Sequence, residues 1–200
     1  MKGLLSGIIL LAFFFLGAAP GQGADGVREA PVRLRSVQAD FIQEKHLKIL
    51  VRPIISQGRF VFQAPGSLRW EYREPFHSIL LMFEGRVRKF SEKNGQLVED
   101  RGLRLDAMQV VLSEISGWLD GRFTDNAAFD ADFENDRTIQ LTPKDKSMQA
   151  FIIAIELKLG DQPGLLDSVT IFEGPESFTR LLFSHAVINQ SIPNTLFTAP

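Results

Sequence analysis

Apolar and polar residues alternate with a period of two in segment after segment of this chain. Leu68, Trp70 and Tyr72 fall on one side while Arg69, Glu71 and Arg73 fall on the other. Val37, Ala39 and Phe41 alternate with Gln38, Asp40 and Ile42, and Phe60 and Phe62 follow Gly58. Phe129, Ala131 and Phe133 alternate with Asp130, Asp132 and Glu134, and Ile139 and Leu141 continue the pattern. Successive side chains of a strand point to opposite faces, so this period marks strands with one buried face. Further strands are expected over 79–83, 151–159, 165–172 and 178–187. Turn signals separate them at Ala64-Pro65-Gly66-Ser67, Glu84-Gly85, Asn94-Gly95, Gly160 to Gly164 and Glu173-Gly174-Pro175. Short connections favour antiparallel neighbours in chain order.

One segment has a different period. Leu105, Met108, Val111, Leu112, Ile115 and Leu119 recur at spacings of three and four, the stripe of an amphipathic helix. A second, short helix is expected before Ser36, where Val27 to Arg35 is basic and broken by Pro31. The expected architecture is mainly β, a curved antiparallel sheet crossed by a helix.

Composition sharpens this. There are 17 Phe beside one Tyr and two Trp, which is apolar bulk with almost no polar handle. Periodicity alone fits either a filled core or the lining of an apolar cavity, and a filled core is the simpler reading. The absence of cysteine excludes a disulfide framework, a thiolate metal site and a cysteine nucleophile. A net charge of −2 with no basic stripe argues against a nucleic-acid partner.

The N-terminus reads as a leader. Met1-Lys2-Gly3 carries one cation, Leu4 to Leu16 is almost wholly apolar, and small residues follow from Gly17 to Ala24. The apolar run falls short of the roughly 20 residues of a spanning helix, so residues 1–24 are expected to be a cleaved secretory signal peptide. Residues 25–200 show no Pro/Gly-rich linker and no repeat, and are expected to form one exported domain.

Between Phe41 and Gly85 the order of motifs becomes specific. Phe41-Ile42-Gln43 is followed by Ser56-Gln57-Gly58-Arg59-Phe60-Val61-Phe62. Pro65-Gly66-Ser67-Leu68-Arg69-Trp70-Glu71-Tyr72, Pro75, Ser78-Ile79-Leu80 and Glu84-Gly85 come next. This succession resembles the outer-membrane lipoprotein carrier (LolA) family. Leu141-Thr142-Pro143, Val169-Thr170-Ile171 and the closing stretch with Ile192-Pro193 are similar too. The resemblance implies an unclosed antiparallel half-barrel of about eleven strands, with helices forming a lid over a hydrophobic cavity. It implies a monomeric periplasmic carrier without cofactor. Such a carrier takes acylated lipoproteins from an inner-membrane transporter complex, shields their acyl chains, and delivers them to an outer-membrane receptor or the membrane itself.

On that basis the cavity lining is expected to include Phe41, Phe60, Phe62, Leu68, Trp70 and Tyr72 from the sheet. Met108, Val111, Leu112 and Ile115 would come from the helix. Trp70 is expected to meet cargo, and Trp118, near the helix end, to report movement of the lid. In the best-known carriers an arginine directly before the Pro of the P-x-x-L-R-W block tethers the lid. Here that position is Ala64, with Arg59 and Arg69 nearby.

Two other readings of the same chain are a lipid-sensing regulatory module with this half-barrel and a structural β-domain. Catalytic signals are wanting. His46, His77 and His185 match no metal spacing. Asp130, Asp132, Glu134 and Asp136 suggest a calcium loop, but Asn135 stands where glycine is required and Leu141 where a glutamate should be. They read instead as the wet face of a strand. The role expected is binding, not catalysis. Arg28, Arg33, Arg35, Lys45, Lys48 and Arg52 form a basic N-terminal region, either ordinary surface charge or a contact for an acidic partner or lipid head groups.

Overall fold

Eleven strands form one antiparallel sheet in a computed structural model of the chain, which describes residues 34–100, 114–115, 117–119 and 126–200. The first meander is β1 (Ser36–His46), β2 (Ile54–Gln63), β3 (Ser67–Glu74), β4 (Ser78–Phe83), β5 (Arg86–Lys93) and β6 (Gln96–Glu99). The second is β7 (Phe129–Asn135), β8 (Thr138–Pro143), β9 (Ala154–Leu159), β10 (Leu166–Gly174) and β11 (Ser177–Ile188). Each strand pairs with its sequence neighbour, and β1 pairs with β11 to fuse the meanders. The spatial order is β6-β5-β4-β3-β2-β1-β11-β10-β9-β8-β7, so β6 and β7 are free edges and the barrel is not closed.

That order has a consequence. The connection from β6 to β7 must pass from one edge of the sheet to the other. Its described helical residues are 114, 115 and 117–119. Ile115, Trp118 and Leu119, at helical spacing on one side, are buried in the principal core. These three residues therefore lie against one face of the sheet, here called the inner face. Met108, Val111, Leu112, the leader and the segment 27–33 lie outside the described residues.

The inner face is apolar across nine of the eleven strands, from Leu80 on β4 through to Phe129 on β7. Two smaller clusters occupy the outer face. Val61 packs with Ile192 and Phe197 of the C-terminal segment, and Ile79 and Leu81 pack with Phe90. Two short helices complete the described fold, α1 (Lys146–Gln149) and α2 (Thr195–Thr198). Among the described residues no helix is long and apolar enough to cross a membrane.

Three elements differ from the sequence reading. The strand expected over 151–159 begins only at Ala154, because the chain leaves α1 through a turn in which Ile152 N–H donates to Met148 O. Ile152, Ala154, Ile155 and Leu157 are consequently buried, whereas Phe151 and Ile153 are exposed. Strands β5 and β6 carry little apolar alternation to read, since Arg86, Arg88, Lys89, Glu92 and Lys93 dominate β5. The alternation expected on β7 holds only at its start: Phe129 is buried, Ala131 half-buried and Asp130 and Asp132 exposed, but Phe133, expected on the buried face, is exposed toward the free end of this edge strand.

Candidate functional site

The inner face is built from residues two apart on adjacent strands. Phe41 of β1, Phe60 and Phe62 of β2, and Leu68 and Trp70 of β3 are all buried, and Tyr72 packs against them. The sheet register brings them together, because Phe60 lies opposite Trp70 and Phe62 opposite Leu68. Phe41 stacks on Trp70 with centroids 4.3 Å apart and meets the edge of Tyr72 at 5.3 Å. The Tyr72 hydroxyl donates to Gln43 Oε1 at 2.6 Å, so the one hydroxyl in the group is satisfied from the F-x-Q motif. Gly58 completes the unit. A Cβ there would fall 2.0 Å from Glu71 O and 2.5 Å from Phe41 Cζ, so the ring occupies the space a side chain would need.

The separate motifs of the sequence are thus one packing unit. Six of the expected lining residues meet on one face, and Ile115 covers them from the helical connection. Trp118, expected near the helix end as a reporter of the lid, is as deeply buried as Trp70 and meets Phe129 at 6.5 Å. The sequence reading missed Phe183 and Leu181 on β11, Val169 and Ile171 on β10, and the inward residues of β8 and β9. Their alternation was legible; which face of those strands joins the motif face was not.

The void within this face is small. About 30 Å³ is free between Val37, Ala39, Phe60, Ile115, Leu119 and Phe183. An apolar cavity of about 150 Å³ is one that holds benzene, so this void is too small for a ring or an acyl chain as it stands. Neither indole N–H, of Trp70 or of Trp118, meets an acceptor among the described residues. A buried donor left unpaired costs about 1–3 kcal/mol.

The connection is pinned beside β7. Asn126 Nδ2 donates to Glu114 Oε2 at 2.7 Å, while Asn126 Oδ1 accepts from the backbone N–H groups of Ala128 and Phe129. One buried amide side chain therefore ties the helical residues to the start of the edge strand.

Neither arginine near Ala64 faces this site. Ala64 is exposed in the β2–β3 turn. Arg59 and Arg69 lie on the outer face, opposite in sense to Phe60 and Trp70. Arg59 donates to Gln38 Oε1. Arg69 donates to Glu71 and to the carbonyls of Leu196 and Ala199, so it holds the C-terminal segment over Val61. Burial alone would raise the Glu71 pKa. The hydrogen bond from Arg69 and its charge, the His77 contact and the charge of Arg73 outweigh that effect and hold the carboxyl below its ordinary value.

Among the described residues no three His, Asp or Glu side chains gather as a metal site. What the inner face offers is apolar area.

Several solved structures are similar to the chain. A DUF1329 family protein from Desulfovibrio piger is 8% identical, with a TM-score of 0.46, covering 82% of this chain and 90% of that one. A LolA superfamily protein from Nitrosomonas europaea is 10% identical, with a TM-score of 0.44 and coverages of 85% and 93%. The MucA/MucB complex of Pseudomonas aeruginosa gives 16% identity, a TM-score of 0.40 and coverages of 84% and 56%. A search among curated proteins found no match. The sequence model of the family described as outer membrane lipoprotein carrier protein LolA matches residues 33–200, which take in every strand of the sheet, from the motif block of β1–β3 to the C-terminal segment that Arg69 holds. The chain belongs to the LolA family.

Proposed function

We propose that this chain is a periplasmic carrier that holds the acyl chains of lipoproteins, or of a related lipid, between the inner face and the helical connection. The observation that carries this reading is an apolar face spanning nine strands of an open sheet, covered by a segment that is not part of the sheet. Such a cover can leave without breaking a strand ladder. The described arrangement is then a closed form, and cargo enters by displacing Ile115, Trp118 and Leu119.

Magnitudes fit an exchange. Exposing three such side chains costs roughly 5–9 kcal/mol, and each buried methylene returns about 0.8 kcal/mol. Break-even falls at about six to eleven methylenes, so long acyl chains open the site and short ones do not. An ester or amide carbonyl entering with the chain would also give the unpaired indoles an acceptor. Donor and acceptor would be an inner-membrane transporter complex and an outer-membrane receptor or membrane.

Native mass spectrometry of the protein recovered from its own periplasm tests this. A co-purifying acylated peptide or lipid supports the reading. So does saturable binding of acyl chains longer than about ten carbons with none for shorter ones. An empty protein that binds no acyl chain of any length overturns it.

A further inference from the structure

The most exposed large apolar side chains among the described residues are not on the inner face. Val51 and Ile49 are 102% and 86% exposed, and Phe76 is 82% exposed. All three lie at one end of the sheet. Val51 and Ile49 are in the β1–β2 connection and Phe76 is in the β3–β4 turn, and both connections leave that same end.

The β1–β2 hairpin overhangs its neighbours. On β2 the pairing with β3 begins only at Gln57, opposite Glu74, so Ile54, Ile55 and Ser56 run on beyond it. On the other side β1 pairs with β11 as far as His46 and Phe178, and Lys48 N–H donates to Ser177 Oγ. Residues 49–53 stand beyond both contacts. Three extra strand residues amount to an overhang of about 10 Å.

The tip reads Lys48-Ile49-Leu50-Val51-Arg52, three apolar residues between two cations. Arg52 meets no carboxylate among the described residues, and Lys48 pairs only with the exposed Glu176. A tip that projects can enter a medium that deforms around it. Cations at either side of an apolar wedge suit a boundary whose interior is hydrocarbon and whose surface is anionic.

We infer that the β1–β2 tip, with Phe76 beside it, is a bilayer-docking element. Ile49, Leu50 and Val51 enter the acyl region, while Lys48 and Arg52 remain among anionic head groups. This surface is distinct from the inner face and does not depend on what that face holds.

The chain has no cysteine, so single labelling sites can be introduced at will. The full chain carrying Val51→Cys, Phe76→Cys or Gly66→Cys, each labelled with an environment-sensitive nitrobenzoxadiazole dye, is mixed with vesicles of phosphatidylethanolamine and phosphatidylglycerol. Gly66 is the control, at the opposite end of β2 with open space around it. The expected result is a blue shift at positions 51 and 76, quenched by nitroxide on the lipid acyl chains, with no change at 66. Residues 1–33 are common to all three proteins, so they cannot produce the difference. Replacing both Ile49→Asp and Val51→Asp should lower co-sedimentation with these vesicles about tenfold or more, and should leave acyl-chain binding at the inner face unchanged. A dye at Val51 indifferent to vesicles overturns the inference, as does an equal response at Gly66. A response at Val51 that follows protein concentration without lipid also overturns it, and assigns the tip to a second copy of the chain.

Discussion

Gly58→Ala should be among the most damaging single substitutions in this protein, although it adds one methyl group. The new Cβ would stand 2.0 Å from Glu71 O and 2.5 Å from Phe41 Cζ, where real contacts do not fall below 3.0 Å. The first obstacle is backbone on the paired strand and cannot rotate away. Strands β2 and β3 must part by about 1 Å, which adds the loss of ladder hydrogen bonds to the usual overpacking cost of about 1–3 kcal/mol. The second obstacle is the ring that stacks on Trp70. Together these give about 3–5 kcal/mol, or a fall in Tm of about 6–20 °C for a chain of this size. Thermal unfolding followed by far-UV circular dichroism measures the loss, and Trp fluorescence reports the displaced stack. The two obstacles separate in a double-mutant cycle. Adding Phe41→Leu clears the ring but leaves Glu71 O in place, so rescue should be partial, with a coupling of about 1 kcal/mol. A loss below about 1 kcal/mol for Gly58→Ala, or complete rescue by Phe41→Leu, would refute the argument that backbone proximity sets the cost.

Two further consequences concern the outer face. Arg69→Met keeps the aliphatic stem but removes the donors to Leu196 and Ala199, so the C-terminal segment should open locally at a cost of about 2–4 kcal/mol. Faster hydrogen exchange at the Phe197 amide with little change at β9 and β10 is expected; a tail as protected as in the native chain would show that Arg69 does not hold it. Glu71 titrates below its ordinary value in the folded chain, so it stabilises the fold above the unfolded pKa, and that contribution is lost as pH falls through the lower folded value. Urea midpoints measured from about pH 5 downward should therefore fall more steeply for the native chain than for Glu71→Gln, and parallel curves would remove Glu71 from the acid limb.

Much of the architecture is local and was legible in the chain. The period of two in β1, β2, β3 and the start of β7 follows from side chains alternating about a strand, and the turn residues fix where one strand gives way to the next. The motif order Phe41-x-Gln43, Gly58-x-Phe60-x-Phe62 and Leu68-Arg69-Trp70-x-Tyr72 was enough to indicate the family, because those residues make one packing unit whose members must occur together. Period alone does not say which side of an alternating strand is buried against what, and that choice belongs to tertiary structure. It turned Arg69 outward onto the C-terminal carbonyls instead of toward a lid. It drew Trp118 into the core beside Phe129, and it moved the buried phase at residues 152–155 by inserting a helical turn before β9. β5 escaped the pattern because an edge-proximal strand with charged residues on both sides has little apolar surface to bury. Cavity volume is the most non-local property of all. Whether apolar residues of nine strands leave room for a ligand is decided by how closely the crossing connection approaches them. In the arrangement described Ile115 and Leu119 approach closely enough to leave about 30 Å³.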